Sequence, residues 1–106
     1  GVWQGEQVIP TAAVQSISGG GDPAKFTGAG YTTLPGGSYR SQWWALQNEN
    51  GAYSARGIHG QAIYVDPTAE MVIARFATFP ISFNAAIDPT SLPAYQAVAD
   101  YLIKKP

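Results

Sequence analysis

Apolar and polar positions change rhythm several times along the chain, and each change marks an element. Tyr39–Gln47 is dense in aromatic and apolar residues and predicts a first strand. Trp43 and Trp44 are consecutive, and successive side chains of a strand leave opposite faces, so the two indoles should diverge. Asn48–Gly51 reads as a turn, with Asn50 and Gly51 suited to positive φ. Ala52–Ile58 and Gln61–Val65 predict returning strand segments, separated by Gly57 and Gly60, which mark a bend or a close backbone approach. Asp66–Ala69 is a turn that Asp66, standing before Pro67, is suited to cap. Met71–Thr78 is the last strand. Val72, Ala74 and Phe76 share one of its faces and Met71, Ile73 and Ala77 the other, with Arg75 the single charge between them.

Helical rhythm appears at the two ends. Gly1–Ile9 predicts an irregular entry anchored by Trp3. Pro10 then opens a short helix to about Ser18, because proline suits a first helical turn, and Gly19–Gly21 stop it. Asp22–Gly37 reads as a long loop, a length that is often functional or packed on a neighbour. Phe79–Pro89 is a second irregular stretch. Ser91 is a candidate N-cap for a closing helix over Leu92–Lys104, in which Tyr95, Val98, Ala99 and Leu102 fall on one side. The expected class is α+β: an antiparallel sheet of about three strands with flanking helices. Two helices cover one face of a sheet that is apolar on both, so a second covering layer is expected from elsewhere.

Composition sharpens that expectation. Of 106 residues only 12% are charged, about half the usual share, while three Trp, six Tyr and four Phe are present. A small free-standing domain normally covers its surface with charge, so much of this outside should pack on a partner. The net charge of −1 and the lack of a basic run argue against nucleic acid, whose phosphates need clustered Lys or Arg. No cysteine is present, which excludes disulfides and thiolate chemistry. No apolar run reaches the ~20 residues that span a bilayer.

Catalytic signatures are sparse. No G-x-S-x-G elbow occurs, and none of the serines is followed three positions later by lysine. Ser82-Phe83-Asn84 fits S-x-N, a pattern too short to carry weight. His59, the single histidine, reads either as a general base or site-lining residue beside two glycines, or as a structural imidazole at a strand bend. With one histidine and scattered carboxylates there is no metal-ligand spacing, and neither a metal nor a cofactor is expected. Trp43, Trp44 and Tyr53 either line an aromatic pocket or fill a core. Gly57 and Gly60 leave room over the backbone, where a substrate carbonyl could meet a main-chain N–H; a plain β-bulge is the other reading.

Several segments together resemble the serine β-lactamase and penicillin-binding superfamily. Gly1–Val14 looks like the approach to a late helix of that fold, Tyr39–Trp44 like the strand before its third active-site motif, Ala55–Pro67 with Glu70–Phe76 like the motif strand and its partner, and Ala94–Leu102 like the closing helix. The run G-I-H-G-Q-A-I-Y-V-D-P looks nearest to the 6-aminohexanoate-dimer hydrolase and carboxylesterase branch. Where most β-lactamases carry Lys-Thr-Gly or Lys-Ser-Gly, this chain has Ala55, Arg56 and Gly57, retaining the glycine alone. The resemblance implies the carboxyl-terminal portion of a hydrolase that attacks an amide or ester through an acyl-enzyme, with the S-x-x-K nucleophile supplied by an amino-terminal segment. It implies that the backbone N–H of Ile58, after Gly57, completes an oxyanion hole, and that Trp44, His59 and Arg56 line the substrate pocket. The rival reading is a non-catalytic binding module with an aromatic-rich sheet. Compartment stays open, bacterial cytoplasm or periplasm.

Overall fold

The computed structural model describes residues 1–83 and 88–105. The chain opens with a two-stranded ribbon, β1 (Val2–Trp3) and β2 (Glu6–Gln7), closed by Gln4 and Gly5 with φ of 49° and 83°. This is a primed hairpin turn rather than an irregular entry. Trp3 is no anchor: it is 68% exposed, because the ribbon lies off the core. Helix α1 (Thr11–Ser18) follows Pro10, as the sequence indicates.

The stretch expected to be a long loop contains a second helix, α2 (Pro23–Gly28). Asp22 caps it, its Oδ1 accepting the N–H groups of Ala24 (2.9 Å) and Lys25 (3.3 Å), and Pro23 supplies a pre-set φ at the first position. Phe26 is the buried residue of α2 and stacks on Tyr31.

The main sheet is an antiparallel meander of five strands, not about three: β3 (Ser38–Arg40), β4 (Trp43–Ala45), β5 (Tyr53–Arg56), β6 (Ala62–Asp66) and β7 (Met71–Arg75). The expected first strand is two, because Ser41 and Gln42, with φ of 52° and 69°, make a two-residue turn that pairs Arg40 with Trp43. Helix α3 (Ser91–Lys104) closes the chain. Its N-cap is Thr90, and Ser91 stands one position inside, its backbone N–H bonded to Asp88 Oδ1 at 3.1 Å.

Directly paired residues share a face, so register divides the sheet. Trp44, Ser54, Tyr64 and Ile73 form a row on the first face, and Arg56, Ala62 and Arg75 form the next. That face holds the core, with Phe26, Leu34, Leu46, Tyr64, Met71 and Ala99 buried and Leu92 and Tyr95 of α3 packed against them. The seam of α3 is therefore Leu92, Tyr95 and Ala99; Val98 and Leu102, expected on the same side, remain 46% and 40% exposed. The second face carries Ala45, Tyr53, Val65 and Val72 in one row and Ala55, Ile63 and Ala74 in another. Ala45 is buried at its edge, where Ser38 Oγ accepts the Gly21 N–H at 3.0 Å, but Ile63, Val72 and Phe76 stand open.

Candidate active site

Beyond the Arg56–Ala62 pair the ladder stops, and Gly57 leads into a 3-10 turn over Ile58–Gly60. Three anchors hold this turn. Gly57 N–H reaches Gln61 O at 2.9 Å, which closes its base. The Phe79 N–H donates to His59 O at 3.0 Å while the His59 imidazole bonds the Phe79 carbonyl at 2.8 Å. A carbonyl only accepts, so Nδ1 of His59 carries the proton in that bond. Third, Arg75 Nε–H donates to Gly60 O at 2.6 Å.

Gly60 is required twice over. Its φ is +88°, and a Cβ there would sit 2.9 Å from the Phe79 ring and 3.0 Å from Ala77 Cβ. Gly57 has ordinary extended backbone, φ −101° and ψ 170°, and its constraint is space, since a Cβ would meet Gln61 Cβ at 3.0 Å.

The turn borders a pocket of about 190 Å³ lined by Tyr31, Thr33, Trp44, Arg56, Gly57, Ile58, Ser82 and Phe83. Four of the sequence-derived site residues, Trp44, Arg56, Gly57 and Ile58, thus meet at one concavity. Ile58 is 66% exposed and lies outside every strand pairing. His59 is not among the lining residues: its ring is spent on Phe79, and its backbone N–H reaches Ser82 O at 3.4 Å, so it braces the wall that Ser82 and Phe83 supply. Asn84, the third residue of the S-x-N match, lies outside the described residues.

Trp44 forms the floor by aromatic packing. Its ring meets Phe26 at 5.8 Å, Tyr31 at 5.4 Å and Tyr39 at 4.9 Å, all edge-on. Trp43 faces the other way and meets Tyr53 at 5.2 Å. The Arg56 guanidinium lies over the Trp44 ring, 5.5 Å from its centre. Burial draws Arg56 below its ordinary pKa; Asp88 partly offsets this, and Arg75 adds to it.

Arg75, expected only as a lone charge on an apolar strand, turns out to be the local hub. Besides Gly60 O it pairs with Asp88 Oδ2 at 2.9 Å, bonds Ser91 Oγ, and lies 5.1 Å over the Phe79 ring. Burial raises the Asp88 pKa, but hydrogen bonds from Ser91 and Arg75 outweigh this and hold the carboxyl below its usual value. Tyr31 and Thr33 are pocket residues that the sequence pattern does not single out, and Ser82 and Phe83 are ones it offers only as part of a short S-x-N match; all four come from loops without periodicity. Asp66 is a turn cap, as expected: its Oδ1 accepts the Ala69 N–H at 3.0 Å and its Oδ2 accepts from Asn50 Nδ2 at 2.9 Å. Among the described residues no group of three or more His, Asp or Glu could hold a metal ion, and no helix is long and apolar enough to cross a membrane.

The fold class is α+β, a five-stranded antiparallel meander backed by helices with a pocket where its central strands end. Comparison with known proteins is more specific. No protein-family model matches the chain. Over 81 residues, 76% of its length, the chain is 40% identical to the 6-aminohexanoate-dimer hydrolase of Paenarthrobacter ureafaciens, of which it covers 21%. The solved structure of a Bacillus anthracis protein provisionally named 6-aminohexanoate-dimer hydrolase superposes with a TM-score of 0.74 at 31% identity, covering 99% of this chain and 26% of that one. In sequence and in fold, then, the chain is similar to part of a 6-aminohexanoate-dimer hydrolase, and it spans well under a third of the length of either relative.

Proposed function

We propose that this chain supplies the oxyanion-hole strand and one pocket wall of a serine hydrolase that cleaves an amide or ester bond through an acyl-enzyme. The observation that carries this reading is the position of Ile58: it follows the point where β5 leaves the ladder, lines a 190 Å³ pocket, and sits on a turn fixed from three sides.

In the proposed reaction a serine hydroxyl from the amino-terminal segment attacks the substrate carbonyl carbon, and its proton passes to a base on that segment. The carbonyl oxygen gains the negative charge. The Ile58 N–H and the nucleophile's own N–H donate to it, contributing a few kcal/mol to the transition state. The amine or alcohol departs with a proton, and water then cleaves the acyl-enzyme, restoring the serine. Gly57 lets the backbone approach Gln61 closely, Trp44 and Arg56 form the wall beside the acyl chain, and His59 holds the turn in place. The relatives' names point to an amide between aminohexanoate units as one substrate of this kind.

Fluorophosphonate labelling tests the division of labour. The chain alone should show no serine adduct and no nitrophenyl-ester hydrolysis, and both should appear when the amino-terminal segment of a 6-aminohexanoate-dimer hydrolase is added. An adduct on a serine of this chain would overturn the reading. So would a chain that binds ligand tightly yet never completes an active enzyme, as the binding-module reading requires.

A further inference from the structure

A second, smaller cavity lies between the first sheet face and the start of α3. It is a partly open recess of about 40 Å³, lined by Ser54, Arg56, Arg75, Asp88, Ser91 and Tyr95, with apolar neighbours including Leu34, Leu46 and Leu92. Its charges do not balance: two guanidiniums face one carboxylate. Arg75 is already committed to Gly60 O, Asp88 and Ser91. Arg56 stands in the same cross-strand row as Arg75, with only Ala62 between them. It is half-buried, and no acceptor among the described residues meets its guanidinium; its near neighbours there are the Trp44 ring, Asp88 and the like charge of Arg75. Tyr95 adds a buried hydroxyl that also has no partner among the described residues.

We propose that this cavity binds one small monovalent inorganic anion of chloride size, held by the Arg56 guanidinium and the Tyr95 hydroxyl. The size fits a halide, or a pair of waters, and is far too small for an acyl group. Water would meet the hydrogen-bonding needs but would leave the repulsion between the two guanidiniums undiminished. An anion answers both, and its partial removal from water strengthens the hold. By fixing the Arg56 head over Trp44 from behind, the ion would also set the wall of the larger pocket. The site stands on its own geometry and does not depend on the hydrolase reading.

Thermal melting of the chain in sodium chloride against sodium gluconate at matched ionic strength tests it. Raising chloride from about 10 to about 300 mM should raise the melting temperature by about 4 °C, rising with the logarithm of the chloride concentration, with no such rise in gluconate. Arg56→Gln should abolish the difference, and Tyr95→Phe, which keeps the ring packing, should reduce it. Crystals soaked in bromide should show an anomalous peak in the cavity. Equal melting curves in the two salts, a full chloride response in Arg56→Gln, or a bromide-free cavity holding only water would each overturn the proposal.

Discussion

Arg75 donates its Nε–H to the carbonyl oxygen of Gly60 across 2.6 Å, and this bond ties the last strand to the turn that carries Ile58. The same guanidinium holds Asp88 and Ser91 at the start of α3, so one side chain joins three elements. Lysine has the charge but not the fork: its three donors radiate from one nitrogen and cannot span the Gly60 carbonyl on one side and Asp88 with Ser91 on the other as separate guanidinium nitrogens do. Arg75→Lys should destabilise the chain by about 2 kcal/mol; a fully buried pair broken outright costs about 3–5, and here the two side chains are 21% and 9% exposed. Urea unfolding followed by tryptophan fluorescence measures it, and amide exchange at residues 58–60 should quicken more than at the centre of β6.

Two glycines with nearly the same φ should respond differently to alanine. Gly60 (φ +88°) would push its new methyl into the Phe79 ring and Ala77, whereas Gly30 (φ +86°) has nothing within 4 Å. Gly30→Ala should cost about 1 kcal/mol of backbone strain. Gly60→Ala should cost about 3 kcal/mol, strain plus overpacking. Urea midpoints of the two variants compare them directly.

Stability should fall at both ends of the pH scale for different reasons. Burial, with Asp66 nearby, pushes Tyr64 from 10.0 up to about 12. The folded state holds this proton more tightly than the unfolded one. Its contribution is therefore complete below pH 10 and is lost as the pH rises from there to about 12. Asp88 is the opposite case: its folded pKa lies below 3.8, so its contribution is complete above that value and is lost as the pH falls through the folded pKa. Urea unfolding across pH should show Tyr64→Phe flattening the alkaline limb and Asp88→Asn the acid limb.

The open face of the sheet gives a prediction of little effect. Phe76 is 90% exposed. In this chain Phe76→Ser should change stability by no more than about 0.5 kcal/mol. When a hydrolase's amino-terminal segment is present and packs on this face, the same substitution should weaken assembly, read by co-elution on gel filtration.

Much of this was legible in the sequence because it rests on local chemistry. Alternation in Met71–Arg75 announced two apolar faces, and Val72 and Phe76 stand exposed on the one without cover. Consecutive tryptophans announced divergent rings, and Trp43 and Trp44 pack on different partners. The β3–β4 hairpin was hidden because Ser41-Gln42 carries positive φ without the Asn-Gly signal that usually advertises it. Helix α2 was masked by surrounding glycines, although Asp22-Pro23 was a readable cap. Arg75 was legible as the single charge on an apolar strand, which demands a partner; the identity of its partners is a tertiary fact that no local pattern encodes.

The central claim is that the Ile58 main-chain N–H stabilises the oxyanion. Replacing the amide preceding Ile58 with an ester, by semisynthesis, removes that hydrogen and leaves every side chain in place. In the chain assembled with the amino-terminal segment of a 6-aminohexanoate-dimer hydrolase, kcat for an amide substrate should fall by about 10²–10³ with KM nearly unchanged. A kcat equal to that of the all-amide chain would contradict the account.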